Sequence, residues 1–473
     1  MKRQHLFIGG KSVEAKEYKP LYSPYSGEQI AEVAAADQEE IEKALQAAEG
    51  AREEMAGMPA FERAAILENL VFLLKENEEK CAEIIALESS KPISTAKGEV
   101  ARTIMTYKLA AEEARRIHGE TIPMDAVPGG EDRIAYTVRK PIGIVAAITP
   151  FNFPMNLVAH KVGPAIAAGN TIVLKPASQT PLSAYFVGEL LEKAGLPGGA
   201  LNIISGCGST VGSQLVKDDR VKKITFTGSP KVGIGIRSKA GLKKVTLELG
   251  SNSALIVDKN VDIDPIIERA VGGAFSNAGQ VCISLQRMYV HEDLYEGFIE
   301  KFAEKTKALK LGDPLKADTD ISALISPGDV DRSLDWIEEA KEHGAEVLCG
   351  GEREGNILHP TVLINVKAES KVSCQEAFAP VAVINKISSV AEAIELVNDS
   401  RYGLQAGIYT NDIHSAMEAA DRLEVGGVII NDIPTYRVDH MPYGGVKESG
   451  IGREGVKYAI EEMTELKLVV IKK

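Results

Sequence analysis

Short runs of apolar residues recur along the chain from residue 142 onward, and stretches typical of helices separate most of them. The first series comprises residues 142–148, 171–174, 201–204, 224–226 and 245–249. The second series comprises residues 254–257, 288–290, 381–384, 407–409 and 428–430. Strands buried on both faces of a parallel sheet read as continuous apolar runs, and crossover helices connect them. The alternation therefore predicts two α/β units, with a boundary near Gly250.

The rest of the chain predicts helices and one smaller β element. At 473 residues the chain exceeds one compact core, so two or three domains are expected. The first third reads as helices, whereas residues 133–139 alternate as an exposed strand would. The apolar run at 466–471 has no obvious local partner. Because such a terminal strand often pairs with another domain or subunit, an intermolecular role is expected for it.

Composition argues against several classes of protein. The net charge of −13 is unfavourable for broad binding to nucleic acid or anionic membranes. No apolar run approaches the roughly 20 residues needed to span a bilayer, and the N-terminus lacks a signal-peptide core. The five cysteines form no CxxC pair and the eight histidines no HExxH motif, so neither a disulfide scaffold nor a metal site is expected. A cytoplasmic enzyme fits these features.

Cys282 is the strongest candidate for a reactive group. It follows an apolar helical segment and lies among small and polar neighbours, Asn277 to Ser284, where a thiolate would be reachable. Glu248 ends a β-rich run upstream and offers a base. An interdomain boundary at Gly250 would let the two residues face each other across a cleft. Taken alone, Cys282 could equally be a small buried apolar residue, the usual fate of a free cysteine.

Two glycine-bearing turns between a strand and a helix suit a dinucleotide. The first contains Gly206, Gly208 and Gly212, one residue longer than the usual fingerprint, and the second spans residues 226–233. Backbone N–H groups at such helix starts can bind a pyrophosphate. Lys175 follows a predicted strand, where its side chain can enter the ligand crevice of an α/β sheet. Each feature alone could be an ordinary turn or a solvated lysine, but together they favour a cofactor site.

These motifs and several others occur in one order along the chain. They are Asn152-Phe153-Pro154, Lys175-Pro176, Phe226-Thr227-Gly228-Ser229, Glu248-Leu249-Gly250, Gly279-Gln280-Val281-Cys282 and Pro442 to Lys447. In this the chain resembles the NAD(P)-dependent aldehyde dehydrogenase superfamily over essentially its whole length.

The resemblance implies an α/β architecture made of three parts. A Rossmann-type dinucleotide-binding domain would comprise residues 1–117 and 139–249. An α/β catalytic domain would comprise residues 250–442. Residues 118–138 and 456–473 would form a small bridging β element that joins subunits into a homodimer or homotetramer.

The resemblance also implies catalytic roles for three residues. Cys282 would attack the aldehyde to give a thiohemiacetal, and loss of hydride would leave a thioester. Asn152 and the Cys282 backbone N–H would stabilise the oxyanion, and Glu248 would activate the water that hydrolyses the thioester. A CoA-acylating relative usually lacks that glutamate, so its presence favours hydrolysis.

Further positions match the family's cofactor residues. Lys175 would bind the adenosine ribose, Ser229 the pyrophosphate and Glu376 the nicotinamide ribose, with Phe378 packing beside it; Phe226 and Gly228 belong to the same site. The chain reads Phe-Ala-Pro where Phe-Gly-Pro is usual, which puts the assignment of Phe378 in question. Ser178 stands where NAD-preferring relatives often carry a glutamate that would repel a 2′-phosphate, so NADP is favoured over NAD.

The substrate is less tightly specified. The residues after Glu248 and Cys282 resemble the branch acting on short hydroxylated or anionic aldehydes, such as lactaldehyde, glyceraldehyde 3-phosphate, phosphonoacetaldehyde or sulfolactaldehyde. Arg102 and Arg437 are candidate anion-binding residues, because a guanidinium can bind a carboxylate or phosphate with two hydrogen bonds. Each could instead make a structural salt bridge.

The sequence leaves several alternative activities open. They are a CoA-acylating semialdehyde dehydrogenase, a succinate-semialdehyde-type dehydrogenase, a cysteine hydrolase using Cys282 with His440, and a catalytically silent structural protein.

Overall fold

The computed structural model describes residues 3–473. Its strands are β1 (Arg3–Gln4), β2 (Leu6–Ile8), β3 (Lys11–Val13), β4 (Glu17–Tyr22), β5 (Gln29–Ala35), β6 (Thr121–Ile122), β7 (Arg133–Pro141), β8 (Ile144–Ile148), β9 (Thr171–Lys175), β10 (Leu201–Ile203), β11 (Val221–Thr227), β12 (Lys244–Glu248), β13 (Ala254–Val257), β14 (Arg287–His291), β15 (Glu346–Cys349), β16 (Arg353–Glu354), β17 (Ile357–Leu358), β18 (Thr361–Ile364), β19 (Val381–Ile387), β20 (Tyr402–Gly403), β21 (Gln405–Tyr409), β22 (Gly427–Ile430), β23 (Val446–Lys447), β24 (Gly450–Ile451) and β25 (Thr464–Lys472).

The α-helices alternate with these strands through most of the chain. They are α1 (Gln38–Gly50), α2 (Arg52–Gly57), α3 (Ala60–Glu76), α4 (Glu78–Ser89), α5 (Ile93–Ala114), α6 (Asn156–Ala167), α7 (Leu182–Lys193), α8 (Ser213–Lys217), α9 (Pro230–Lys239), α10 (Ile263–Phe275), α11 (Glu292–Lys307), α12 (Pro327–Glu342), α13 (Lys371–Cys374), α14 (Val390–Asn398), α15 (Ile413–Arg422) and α16 (Val456–Glu462). Within residues 3–473, none of the helices combines the length and the apolar character that crossing a membrane requires.

The first series of apolar runs forms an eight-stranded sheet in the order β24-β12-β11-β8-β9-β10-β2-β3. Strands β8 to β12 are mutually parallel, as predicted. Alternate residues of β8 lie in different apolar clusters, Val145 and Ala147 against α3 to α7, and Ile144 and Ala146 against α1, α8 and α9. Helices therefore cover both faces of this sheet, which explains why its strands are largely apolar.

The second series forms a seven-stranded sheet in the order β15-β18-β19-β14-β13-β21-β22. The strands of the predicted runs, β13, β14, β19, β21 and β22, are parallel and in the expected places. Strand β18 was not predicted; it lies parallel to β19 and is fully buried. Helices α10 to α12 cover one face and α14 and α15 cover the other.

The N-terminal segment differs from the helical reading of the first third. Residues 3–35 form five strands: β1, β5 and β4 make a separate three-stranded sheet, and β2 and β3 extend the eight-stranded sheet. Helices begin only at Gln38, where Asp37 accepts hydrogen bonds from the N–H groups of Glu39 and Glu40. The five strands have two to seven residues each. Periodicity is weak in runs of this length, and pairing with distant strands decides their conformation.

The terminal apolar run forms β25, which pairs antiparallel with β7 over nine residues. With β6 they make a three-stranded sheet in the order β25-β7-β6. Its partner is thus a distant segment of the same chain. Strand β25 lies at the edge of this sheet, and Leu466, Leu468 and Val470 on it are exposed.

Candidate active site

Two cavities meet at Cys282, between the two large sheets. The larger, of about 1010 Å³, is bounded by the ends of β8, β9 and β11 and by helix α9 on one side, and by residues near Glu376 on the other. The smaller, of about 290 Å³, is lined by α5, by the loop after β8 and by residues 435–443. Cys282 is the residue that lines both. A group bound in either cavity would therefore approach the same thiol.

A strained turn presents this thiol. After α10 ends at Phe275, Asn277, Ala278 and Gly279 have φ values of 51°, 53° and 69°, all in the left-handed region. A Cβ on Gly279 would lie 2.1 Å from the carbonyl oxygen of Ala379, so only glycine fits there. Left-handed backbone at non-glycine residues costs about 1–3 kcal/mol each and is found at functional sites where the surroundings enforce it.

Burial strongly affects the chemistry of the thiol. It raises the pKa of Cys282 to about 12, and the nearby carboxyl groups of Glu376 and Glu248 add to the shift. The resting thiol is therefore protonated near neutral pH. Nucleophilic attack requires the thiolate, so a base must remove the proton when the substrate is bound.

Asn152 lies in the loop between β8 and α6 and is buried. Its Nδ2 group donates a hydrogen bond of 2.9 Å to the carbonyl oxygen of Gln280, two residues before Cys282. A side-chain amide has two N–H groups, so the second is free for another acceptor. Its Oδ1 atom has no partner within the described chain. The amide is therefore held next to the nucleophile with one donor in reserve.

Glu248 ends β12 and is buried, and neither of its carboxyl oxygens has a hydrogen-bond partner within residues 3–473. Burial raises the pKa of this carboxyl group well above its usual range, and Glu454 contributes in the same direction. Buried polar groups are nearly always satisfied, so an unpaired carboxyl beside a reactive thiol indicates a functional group. Such a group can bind and activate water once it is deprotonated.

The larger cavity contains the sequence-predicted cofactor residues, with one exception. Lys175, Phe226, Gly228, Ser229, Glu376 and Phe378 all line it. Ser178 does not: it is exposed, and its hydroxyl donates to the carbonyl of Gly206 at 3.2 Å. Its neighbours Ala177 and Gln179 line the cavity, so Ser178 lies at the rim.

These residues fit a bound dinucleotide. Lys175 is buried, and its ammonium group donates only to the carbonyl of Pro176, at 3.0 Å, so it has no carboxylate partner within the described chain. An uncompensated buried cation suits an anionic or polyhydroxylated ligand. Glu376 accepts from the backbone N–H of Ser251 at 3.0 Å, and burial raises its pKa to about 7. A Cβ on Gly228 would lie 2.6 Å from the ring of Phe226, so this turn requires glycine beside the cavity.

Ala379, which stands where the family usually has glycine, causes no backbone strain. The left-handed residue is Phe378, with φ of 47°, and Ala379 does not have a positive φ. The ring of Phe378 packs edge-on against Phe151 at 5.6 Å between centroids. The alanine therefore leaves Phe378 on the wall of the cavity.

Arg102 and Arg437 both line the smaller cavity, and both make salt bridges. Arg102 donates to Asp439 from Nη2 at 2.6 Å and from Nε at 3.2 Å. Arg437 donates to Glu454 at 3.1 Å, and its guanidinium lies 3.6 Å from the ring centroid of Tyr443. The Nε atom of Arg437 is buried without a partner among residues 3–473. Each arginine thus makes a salt bridge, and each also lines the cavity beside Cys282.

Comparison with known proteins accounts for this arrangement. The aldehyde dehydrogenase family profile matches residues 11–469. The chain belongs to the aldehyde dehydrogenase family. It is 47% identical over 471 residues to the 3-sulfolactaldehyde dehydrogenase of Priestia megaterium, covering all of this chain and 98% of that protein.

Solved aldehyde dehydrogenase structures superpose closely on the whole chain. Aldehyde dehydrogenase 21 from Physcomitrella patens, in complex with the reaction product succinate, has a TM-score of 0.98 and 44% identity, covering 100% of this chain and 98% of that one. The glyceraldehyde-3-phosphate dehydrogenase GapN of Methanocaldococcus jannaschii, complexed with NADP, has a TM-score of 0.93 and 42% identity, with 97% and 100% coverage. The protein is therefore an NAD(P)-dependent aldehyde dehydrogenase.

Of the other activities left open by the sequence, the cysteine hydrolase lacks structural support in this aldehyde dehydrogenase. His440 is exposed and lines neither cavity, so it is not the base that a cysteine hydrolase would need beside Cys282. No group of three or more His, Cys, Asp or Glu side chains suited to a metal ion occurs within residues 3–473.

Sequence reasoning missed a buried network behind the smaller cavity of the aldehyde dehydrogenase. His160 contacts Asp439 at 2.8 Å and Arg437 at 3.3 Å, and Lys161 donates to Glu454 at 3.0 Å. The signal that could have revealed it was the pair His160-Lys161 within the otherwise apolar helix α6. Charged residues are rarely buried unless they are paired.

Proposed function

We propose that the enzyme oxidises a short aldehyde carrying a hydroxyl or anionic substituent to the corresponding carboxylic acid. The observation that carries this proposal is the cavity of about 290 Å³ that contains both Arg102 and Arg437 and ends at Cys282. Its small volume suits an aldehyde of a few carbon atoms, and its two guanidinium groups suit an anionic substituent.

The relatives support the same substrate class. One is named for 3-sulfolactaldehyde, one structure holds succinate as its product, and one is named for glyceraldehyde 3-phosphate. The substrates or products that these names give are all short and anionic. The succinate complex keeps a succinate-semialdehyde-type activity as the principal alternative within this class.

In the proposed mechanism, three residues act on the substrate. The Cys282 thiol gives its proton to a base in the solvent, and the thiolate forms a bond to the aldehyde carbon while the free N–H of Asn152 and the Cys282 backbone N–H donate to the resulting oxyanion. A bound nicotinamide would accept the hydride that leaves this carbon, so that a thioester remains. Glu248 then takes a proton from the water that attacks the thioester, and cleavage of the C–S bond releases the acid and restores the thiolate.

We favour NADP over NAD as the cofactor. Lys175 has no carboxylate partner within the described chain and lines the larger cavity, and Ser178 follows three residues later at the rim. A serine at this rim adds no negative charge to oppose a 2′-phosphate. The NADP complex of a relative that is 42% identical supports the same preference.

The proposal extends to domains and assembly. We assign residues 1–117 and 139–249 to dinucleotide binding, residues 250–442 to catalysis, and residues 118–138 and 456–473 to a bridging element. The exposed apolar residues of β25 support a homodimer or homotetramer. The free cysteines, with a nucleophilic thiol that must stay reduced, support a cytoplasmic location.

A kinetic panel tests this proposal. The purified enzyme is mixed with lactaldehyde, sulfolactaldehyde, succinate semialdehyde, glyceraldehyde 3-phosphate and propanal, each with NAD or NADP, and absorbance of the reduced cofactor is followed. We expect kcat/KM for at least one anionic or hydroxylated aldehyde to exceed that for propanal at least tenfold. A preference for propanal would contradict the substrate class. Reduction that requires added CoA would assign the enzyme to the acylating class instead.

A further inference from the structure

We infer that Lys91 and Glu99 are positioning residues for Asn152, an inference that rests on the oxyanion-donor role of Asn152 in the proposed function. Lys91 lies between α4 and α5, and Glu99 lies within α5. They form an ion pair in which neither side chain is exposed at all. Burying both charges is costly unless each is also hydrogen-bonded, so the partners of the pair indicate its role.

Both partners act on the loop that carries Asn152. Lys91 donates a hydrogen bond of 2.7 Å from Nζ to the backbone carbonyl of Asn152, and its ammonium group lies 3.8 Å from the ring centroid of Phe153. Glu99 accepts from the backbone N–H groups of Met155 and Asn156, at 2.9 and 3.1 Å. The pair therefore holds both ends of the short segment 152–156, whose first residue is Asn152.

Few other hydrogen bonds restrain the Asn152 carbonyl itself, which lies in the loop between β8 and α6. Within the described chain, the Asn152 carbonyl accepts hydrogen bonds only from Lys91 and from Asn277, the latter at 3.4 Å. Stabilisation of an oxyanion depends steeply on donor placement, because a shift of about 1 Å can cost roughly a hundredfold in rate.

This role differs from simple support of the fold. The carboxylate of Glu99 by itself satisfies the backbone N–H groups at the start of α6. A neutral side chain with a hydrogen-bond acceptor would satisfy them as well. The charge of Lys91, by contrast, is directed at the backbone carbonyl of Asn152, whose side-chain amide donates to the carbonyl of Gln280 beside Cys282. Removing both charges should therefore leave the fold stable and impair the transition state.

The test uses the double variant Lys91→Met/Glu99→Gln, which leaves no unpaired buried charge. We expect kcat to fall at least tenfold while KM for the aldehyde and Kd for NADP change less than threefold. Because Lys91 acts through Asn152, adding both substitutions to Asn152→Ala should lower kcat less than twofold further. The matched control is Lys223→Met, which removes another fully buried lysine, one that contacts Thr246 and Glu462; it should lower Tm without lowering kcat.

Two results would overturn the inference. One is wild-type kcat in the double variant. The other is a multiplicative loss when the substitutions are combined with Asn152→Ala, which would indicate an effect independent of the donor. If the double variant does not fold, kcat and Tm are measured for Glu99→Asp instead. This variant keeps both charges and shortens the side chain by one methylene, which moves the carboxylate away from the N–H groups of Met155 and Asn156. A fall in kcat at unchanged Tm supports the role, and unchanged kcat refutes it.

Discussion

Glu248 is buried and Cys282 is half-buried, and burial raises the pKa of both groups. The raised pKa values favour the protonated forms of the carboxyl and the thiol. In the proposed mechanism the two groups lose their protons at different steps, the thiol before attack and the carboxyl before hydrolysis. The absence of protein partners for the Glu248 oxygens within the described chain leaves room for water to bind there.

The role of Glu248 predicts a pH dependence. Only the deprotonated carboxylate can accept a proton, so thioester hydrolysis should slow as pH falls below the raised pKa. In Glu248→Gln, steady-state turnover should be lost while mixing with aldehyde and cofactor still gives a burst of reduced cofactor. Stopped-flow absorbance measures both phases. Cys282→Ser is the control without a burst; full turnover in Glu248→Gln would contradict the role.

The same group affects stability in the opposite direction. Between its unfolded pKa, about 4.3, and its raised folded pKa, Glu248 is ionised only in the unfolded chain. Unfolding is then favoured as pH rises. The Tm of the wild type should therefore fall relative to that of Glu248→Gln as pH increases from 5 to 8.

Ser178 predicts the cofactor preference. A carboxylate placed at this rim would repel a 2′-phosphate, so Ser178→Glu should lower kcat/KM for NADP at least about tenfold and change that for NAD little. The exposed position accommodates the longer side chain. Ser178→Gln controls for size. Equal losses with both cofactors would contradict a 2′-phosphate site near Ser178.

Arg102 predicts selectivity for anionic aldehydes. A hydrogen bond to a charged group contributes about 1.5–3 kcal/mol, so Arg102→Gln should raise KM for an anionic aldehyde at least about tenfold. KM for propanal should change less than threefold. Lys108→Gln, an exposed position on the same helix α5, controls for net charge. Equal effects on both aldehydes would indicate that Arg102 serves only its salt bridge to Asp439.

At the scale of elements, the turn after α10 depends on one glycine. Because a Cβ on Gly279 would lie 2.1 Å from the Ala379 carbonyl, Gly279→Ala should destabilise the protein by more than about 3 kcal/mol or displace Cys282 and abolish activity. Gly272, inside α10, has open space around a Cβ, so Gly272→Ala should raise stability by about 0.5–1 kcal/mol. Thermal unfolding gives the stability of both variants, and steady-state kinetics give their kcat. A fully active, stable Gly279→Ala would contradict the geometry.

The elements themselves were predictable where the pattern was strong. Strands β8 to β14 follow from apolar runs because a parallel sheet covered on both faces leaves few polar positions. The strands before Gln38 were not predictable, because their partners lie far along the chain; β2 pairs with β10, for instance. Strand pairing across such distances leaves no local pattern in the sequence.

At the scale of the whole molecule, the sheet β25-β7-β6 exposes apolar groups on both faces. Leu466, Leu468 and Val470 lie on one face of β25, and Ile471 lies opposite Ile134 on the other, all at least 45% exposed. Residues of this kind at a sheet edge are usually covered by another chain.

This surface predicts the assembly. The double variant Leu466→Lys/Leu468→Lys should shift the enzyme toward smaller species, measured as molar mass by light scattering during size-exclusion chromatography. Leu315→Lys, an exposed leucine in a loop between α11 and α12, is the control and should leave the mass unchanged. An unchanged mass in the double variant would exclude this sheet as the interface.

The sequence by itself determined the two α/β units and the order of the motifs, and it predicted Cys282, Glu248 and Asn152 as a catalytic group. These depend on local patterns: buried strands must be apolar, and a tight turn such as that at Gly279 requires glycine. Only the tertiary structure decided that Cys282 lies between two cavities, that Ser178 stays at the rim, and that Lys91 and Glu99 hold the loop of Asn152. These features depend on residues that are far apart in the sequence, and only the packing of the folded chain brings those residues together.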